Sequence, residues 1–265
     1  MPTLKLGATG PEVKKLQKKL KALGLNPGRI DGAYGPATKA AVREFQRNSG
    51  LPADGIAGQQ TRAALGIKKS SDSTSIIPLV TEEVVTQMFP FTPLHNITTN
   101  LPFVLTALEQ QDLTDTGMVI VALSTIRAET ESFEPISELI SRYNTSPGGR
   151  PFDLYDYRRD LGNLGPPDGE RYRGRGFVQL TGRSNYQYYG ESLGLGTRLI
   201  EDPERANDAD TAAAVLACFI KHHEERLRDA LARDDLAAAR KQVNGGTQGL
   251  ERFTEAFRIG EKLII

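Results

Sequence analysis

Residues 68–79, Lys-Lys-Ser-Ser-Asp-Ser-Thr-Ser-Ile-Ile-Pro-Leu, interrupt the helical patterning on either side of them, so the chain is expected to fold as two bodies. The serine-rich half has no apolar face to bury and reads as a short flexible linker. Residues 1–67 then form a first domain, 68–79 the linker and 80–265 a second, larger domain. A linker this short keeps the second domain close to whatever the first one binds, which raises its effective concentration there.

In the first domain, Val13, Leu16, Leu20 and Leu23 recur at helical spacing with lysines on the outer face. Residues 38–46 predict a second helix with Ala41, Val42 and Phe45 inward, and residues 61–65 a third. Turn signals at Asp31-Gly32, Tyr34-Gly35-Pro36, Asn48-Ser-Gly50 and Asp54-Gly55 separate them. Asp31-Gly-Ala-Tyr-Gly-Pro-Ala-Thr38 and Asp54-Gly-Ile-Ala-Gly-Gln-Gln-Thr61 form a weak internal repeat, each supplying a turn and then a helix start.

The second domain reads as mainly α. Residues 84–89, 101–108, 118–128, 206–233 and 236–243 carry helical apolar patterns, and few segments alternate with period two. Between them, residues 146–172 form a long irregular stretch rich in Gly, Pro and Asp. A loop of that length inside a compact domain is usually functional.

Several function classes fall away. The 33 acidic and 33 basic residues cancel, so the chain as a whole has no pull toward nucleic acid or an anionic membrane. No apolar run is long enough to span a bilayer, and Met1-Pro-Thr-Leu-Lys-Leu-Gly7 lacks the core of a signal peptide, so synthesis in the cytoplasm is expected. Cys218 is the single cysteine; within the apolar run 212–220 it reads as a small buried residue, and no intrachain disulfide is possible. His95, His222 and His223 do not converge as zinc ligands do, so neither a metal nor a cofactor is expected, and the protein is expected to be a monomer.

The chemistry concentrates between residues 126 and 186. A helix packed through Met118, Ile120, Val121, Leu123 and Ile126 ends at or near Glu129, and Glu131, Glu134 and Glu138 follow. On one straight rod Glu129 and Glu138 would stand roughly 13 Å apart at 1.5 Å per residue. Pro135 forbids that rod and lets the two face each other across a bend. An inverting glycosidase needs carboxyls roughly 6.5–9.5 Å apart, leaving room for a water on the far side of the sugar. Glu131 and Glu134 read as solvated surface acids. The glycine-pinned segment 172–186 then offers amide, hydroxyl and phenol groups of the kind that hold sugars.

Two resemblances sharpen this reading. Leu6-Gly-Ala-Thr-Gly-Pro-Glu-Val13, Leu16-Gln17, the 31–38 turn, Phe45-Gln46 and Leu51-Pro-Ala-Asp-Gly55 resemble the three-helix peptidoglycan-binding domain of cell-wall hydrolases. Asp31, Tyr34 and Gln46 are then candidate wall-binding residues, unless they only shape turns. Farther on, Ala128-Glu-Thr130, Gly174-Arg-Gly-Phe-Val-Gln-Leu-Thr-Gly-Arg-Ser-Asn-Tyr186 and Val243-Asn-Gly-Gly246 resemble, in order, three motifs of family 19 glycoside hydrolases. That resemblance implies a helical, lysozyme-like catalytic domain with a deep cleft and an inverting mechanism.

By the same resemblance Glu129 matches the general acid and Thr181 the hydroxyl that helps hold the attacking water. Gln179, Asn185, Tyr186 and Asn244 match sugar-contacting positions, and Arg175 is a sugar ligand or a brace. The second carboxylate stays open between Glu138 and Asp156. With no tryptophan in the chain, sugar stacking falls to Tyr or Phe. The modular order implies a phage-type endolysin that hydrolyses the β-1,4 bonds of bacterial peptidoglycan, released to the wall by a separate pore-forming partner. A chitinase, a lytic transglycosylase and a non-catalytic wall-binding protein are the alternatives.

Overall fold

The computed structural model describes residues 4–67, 75–246 and 248–264. The chain divides into two compact units, Met1–Ser73 and Thr74–Ile265. Both are predominantly helical.

The smaller unit holds α1 (Pro11–Ala22), α2 (Pro36–Asn48) and the short α3 (Gln59–Ala64). A proline in the first turn of α1 and α2 pre-sets φ for the helix and removes a donor that would have had no partner there. Val13, Leu16 and Leu20 of α1 meet Ala41, Val42 and Phe45 of α2 in a core closed by Leu4, Tyr34 and Leu65. Leu23, expected inside, caps α1 and is 51% exposed, because the helix ends before its face returns to the core.

The internal repeat is real at the level of individual hydrogen bonds. Gln17 Nε2 donates to Asp31 Oδ1 (3.2 Å), the Ala33 carbonyl (2.9 Å) and Thr38 Oγ1 (3.1 Å), while its Oε1 accepts from the Gly32 N–H (2.9 Å). Gln46 repeats each contact: Nε2 to Asp54 Oδ1 (2.8 Å), the Ile56 carbonyl (3.0 Å) and Thr61 Oγ1 (3.0 Å), with Oε1 accepting from Gly55 N–H (2.8 Å). In each half one buried glutamine ties a turn to the helix that follows it. The Tyr34 hydroxyl joins the halves by donating to the Gly55 carbonyl at 3.0 Å. The N–H groups of Ala33 and Ile56, and then the two glutamines, hold the Asp31 and Asp54 carboxyls below the usual range.

This corrects the wall-binding expectation for two residues. Tyr34 and Gln46 are buried, and their polar atoms are committed to the fold. Asp31 remains exposed, but its carboxylate shapes its own turn.

The larger unit is built around α6 (Thr116–Glu129), in which every residue from Met118 to Ala128 is buried. A helix apolar on all sides must be enclosed, and four others enclose it: α4 (Glu82–Met88), α5 (Leu94–Gln110), α10 (Ala209–Ala232) and α12 (Leu250–Leu263). Gly260 of α12 allows the closest approach. A methyl group there would stand 3.0 Å from Ile120 Cγ2 and 3.1 Å from Met88 Cε. Among the described residues no helix is long and apolar enough to cross a membrane.

Two boundaries differ from expectation. Residues 68–74 of the expected linker lie outside the described residues. Residues 75–79, expected to be linker, belong to the larger unit: Ile76 is buried in its core and its N–H bonds the Thr114 carbonyl at 3.0 Å. The second concerns the bend after α6. The helix stops at Glu129, well before Pro135, because Glu131 and Phe133 adopt left-handed φ of 58° and 56°. Phe133 turns inward against Phe89 (4.8 Å between rings), while Asn96 and Asn100 of α5 donate to the carbonyls of Ser132 (2.9 Å) and Phe133 (3.1 Å).

Replacing Gln46 with Ala leaves the buried Gly55 N–H and Thr61 hydroxyl without their partner, and unfolding of the smaller unit should become easier by about 1–3 kcal/mol. Hydrogen exchange at the 54–65 amides reads this directly. A change below about 0.5 kcal/mol, the range of ordinary surface substitutions, would contradict the clamp.

Candidate active site

A two-strand ladder brings the acidic segment to the glycine-pinned one. β1 (Ile136–Ser137) pairs antiparallel with β2 (Arg175–Gly176), Ile136 opposite Gly176 and Ser137 opposite Arg175. The Glu138 N–H continues the pairing by donating to the Gly174 carbonyl at 2.8 Å. The Glu138 side chain is held by three donors. Oε1 accepts from Asn144 Nδ2 (3.0 Å) and the Tyr155 hydroxyl (2.9 Å), and Oε2 from the Gly174 N–H (3.2 Å). Burial first, and then Glu138 itself, push the Tyr155 phenol up to about 12, so it stays protonated and donates.

Gly174 lacks a side chain where oxygens converge. A methyl group on it would stand 2.8 Å from Gln179 Oε1 and 3.2 Å from both Glu138 Oε2 and Thr181 Oγ1. Gln179 has φ of 51° and ties itself down through Nε2 to the carbonyls of Ile136 (3.0 Å) and Gly176 (3.2 Å), leaving Oε1 toward Gly174. The Thr181 hydroxyl donates to the Gln179 carbonyl at 2.8 Å, which leaves its oxygen free to accept.

The irregular region delivers Tyr155 to this place, and its own acids brace it. Asp153 accepts from Ser146. Asp156 accepts from Gly169 N–H (2.9 Å) and Arg150 (2.9 Å), and Asp168 from Arg183 (2.6 and 2.8 Å). Asp156 is buried with both oxygens engaged, so this competitor of Glu138 is a loop brace.

Glu129 sits at the C-terminus of α6, partly exposed, with Oε1 2.8 Å from Arg240 Nη2. Arg240 is 1% exposed and anchored by its Nε to the Gln248 carbonyl at 2.9 Å. It belongs to α11 (Leu236–Asn244), whose other buried residues are Leu236, Ala239 and Val243. A lone arginine inside an apolar stripe at i, i+3, i+4, i+7 is a signal legible in sequence, and it points to a buried acid as partner. Glu131, next along, is clamped by Arg127 (2.8 Å) and Arg252 (2.7 Å); Arg127 first, and then both cations together, hold its carboxyl low.

Other expected site residues are placed differently. Tyr186 and Arg175 are buried rather than sugar-facing. Arg175 Nη1 donates to the Tyr186 hydroxyl (2.9 Å) and the Arg171 carbonyl (2.9 Å), and Nη2 pairs with Glu204 (2.5 Å). Together they stiffen the segment that carries Gly174. Asn185 is exposed and donates to the Thr181 carbonyl at 2.7 Å; Asn244 is exposed and donates to the Gln248 carbonyl at 3.2 Å. Cys218 is half-buried, and burial pushes its thiol up, away from nucleophile chemistry. Among the described residues no three His, Cys, Asp or Glu side chains gather as a metal site would require.

Comparison with known proteins separates the two parts. Residues 9–65 match the family described as "Putative peptidoglycan binding domain". A spore cortex-lytic enzyme of Bacillus cereus is 46% identical over 59 residues, 22% of this chain and 23% of the relative. The N-acetylmuramoyl-L-alanine amidase CwlL of Bacillus licheniformis is 42% identical over 77 residues (27% and 21%). The zinc D-Ala-D-Ala carboxypeptidase of Streptomyces albus G is 43% identical over 79 residues (28% and 30%). The chain thus spans less than a third of the length of each of these relatives. Among solved structures, chitinase C from Streptomyces griseus aligns with 70% of this chain and 76% of its own, with a TM-score of 0.50 at 18% identity. That likeness shows the fold alone: the larger unit shares the mainly helical fold of that chitinase.

If Arg240 and Glu129 form a coupled pair, a double-mutant cycle with Arg240→Leu and Glu129→Gln should return an interaction of about 1–3 kcal/mol in thermal unfolding. Strictly additive losses would contradict the pairing.

Proposed function

We propose that the larger unit is a glycoside hydrolase that cuts the β-1,4 bonds of bacterial peptidoglycan by an inverting mechanism, and that the smaller unit holds it on the wall. The convergence of Glu138, Gln179 and Thr181 oxygens around Gly174 carries the reading. A water placed there donates its two protons into acceptors, and its lone pair is left pointing outward at a sugar. Glu138 takes one of those protons as the general base. Its other oxygen is occupied by Asn144 and Tyr155, which fix the carboxylate rather than compete for the water.

Glu129 is the general acid that protonates the leaving oxygen. Arg240 orients it and, as the proton leaves, stabilises the carboxylate that forms. Asn185 and Gln179 are the sugar-contacting groups of the same segment. The relatives of the wall-binding region carry names for different bonds, so that region argues for the polymer and not for the bond. The two carboxylates are what supports a glycosidic bond rather than an amide. Lysis of a bacterial host from within, as an endolysin, is the role that this activity supplies.

Glu129→Gln and Glu138→Gln should each lower release of reducing ends from purified sacculi by about 10²–10⁴-fold, the usual worth of a positioned acid or base. Near-normal turnover in either variant contradicts its role. Wild-type protein that leaves sacculi intact and cleaves soluble chitin oligomers would hand the site to the chitinase reading.

A further inference from the structure

The balanced charge of the whole chain hides a strong segregation. The first 67 residues hold eleven lysines and arginines against four acids, and the rest of the chain carries the matching excess of acid. Of those eleven cations, Arg62 is the one that forms an ion pair among the described residues, with Glu12. The unit is a compact cation.

Part of that charge is organised. A groove of about 310 Å³ is lined by Leu6, Pro36, Lys39, Ala40, Arg43 and Arg47. The three cations stand at i, i+4 and i+8 on α2, where like charges repel and cost the free helix stability. No acid lines the groove. Its cations are also pre-positioned by the second turn of the repeat. Gly55, at φ +73°, lies so close to their stems that a methyl group on it would meet Lys39 Cγ at 2.8 Å and Arg43 Cγ at 3.0 Å. The Ala53 carbonyl accepts from Arg43 Nε at 3.2 Å. Leu6, 52% exposed, supplies an apolar wall on the other side.

We propose that this groove is the wall-binding site of the smaller unit, and that it takes the carboxylate-bearing stem peptides of peptidoglycan rather than its neutral glycan. A peptide strand with acidic groups and short aliphatic side chains matches a row of fixed cations beside an apolar wall. Neutral sugars would have no use for three unpaired charges. Tyr34 and Gln46, committed to the fold, leave this outer face of α2 as the binding surface. The inference rests on the wall-directed reading of the protein, and its test reads binding alone, so absence of cleavage and absence of binding are separate results.

The test uses the full chain carrying Glu129→Gln, sedimented with purified sacculi in the presence of either released stem peptides or uncharged N-acetylglucosamine oligomers as competitors. A Lys39→Gln/Arg43→Gln/Arg47→Gln variant is compared with Lys14→Gln/Lys18→Gln/Lys21→Gln, which removes equal charge from α1; melting curves verify that each is folded. The groove variant should bind intact sacculi about tenfold more weakly, the product of three solvent-exposed charge pairs. The α1 variant should lose far less, and released stem peptides should displace the protein from sacculi at concentrations at which the sugar oligomers do not. Equal losses from both triple variants, or displacement by the sugar oligomers and not by the peptides, would overturn the proposal. So would displacement by inorganic polyphosphate at concentrations that leave an acidic peptide ineffective.

Discussion

A helix that is apolar on every side has to be surrounded, and the larger unit is arranged to surround α6. Burying its eleven consecutive residues from Met118 to Ala128 fixes where α4, α5, α10 and α12 must lie. It also fixes where the chain emerges. After Met118, Glu129 is the first side chain of α6 to escape full burial, so a carboxylate is delivered to the rim of the core by the same packing that holds the core together. The backbone must then turn away at once. Left-handed Glu131 and Phe133 make that turn, with Phe133 driven back among Phe89 and Phe177 as its anchor.

The second carboxylate is positioned by hydrogen bonds rather than by apolar packing. Glu138 leaves the short ladder beside Gly174, and a loop of almost thirty residues, stiffened by Asp153, Asp156 and Asp168, exists to bring a neutral phenol to it. The two acids therefore sit in different electrostatic company: Glu129 against a buried arginine, Glu138 among uncharged donors.

Most helices were legible because their apolar residues recur at helical spacing or fill the helix throughout. Residues 84–89, 101–108, 118–128 and 236–243 announce themselves by spacing, and each lies within a helix or within one residue of its end. α12 was overlooked although Phe253, Ala256, Phe257 and Gly260 share one face, and α8 (Arg183–Ser192) is too polar to signal itself. The site was legible in part. A motif lists residues without saying which way they face, so Tyr186, next to the exposed Asn185, and Arg175 proved to be buried braces. Tyr155 and Asn144 were invisible because their role exists only once an irregular loop has closed on Glu138. In the smaller unit the repeat was read from its turns, while the glutamines that make it work lie on the preceding helices, fourteen and eight residues upstream of the acids they hold.

Which bond is broken decides the proposed function. Reducing the products from digested sacculi with borodeuteride and identifying their ends by mass spectrometry asks this without reference to any residue. Hydrolysis within the glycan strand leaves deuterated amino-sugar ends with the stem peptides still attached to the glycan. Free peptides with a new amino terminus, or anhydro-sugar ends, would contradict it.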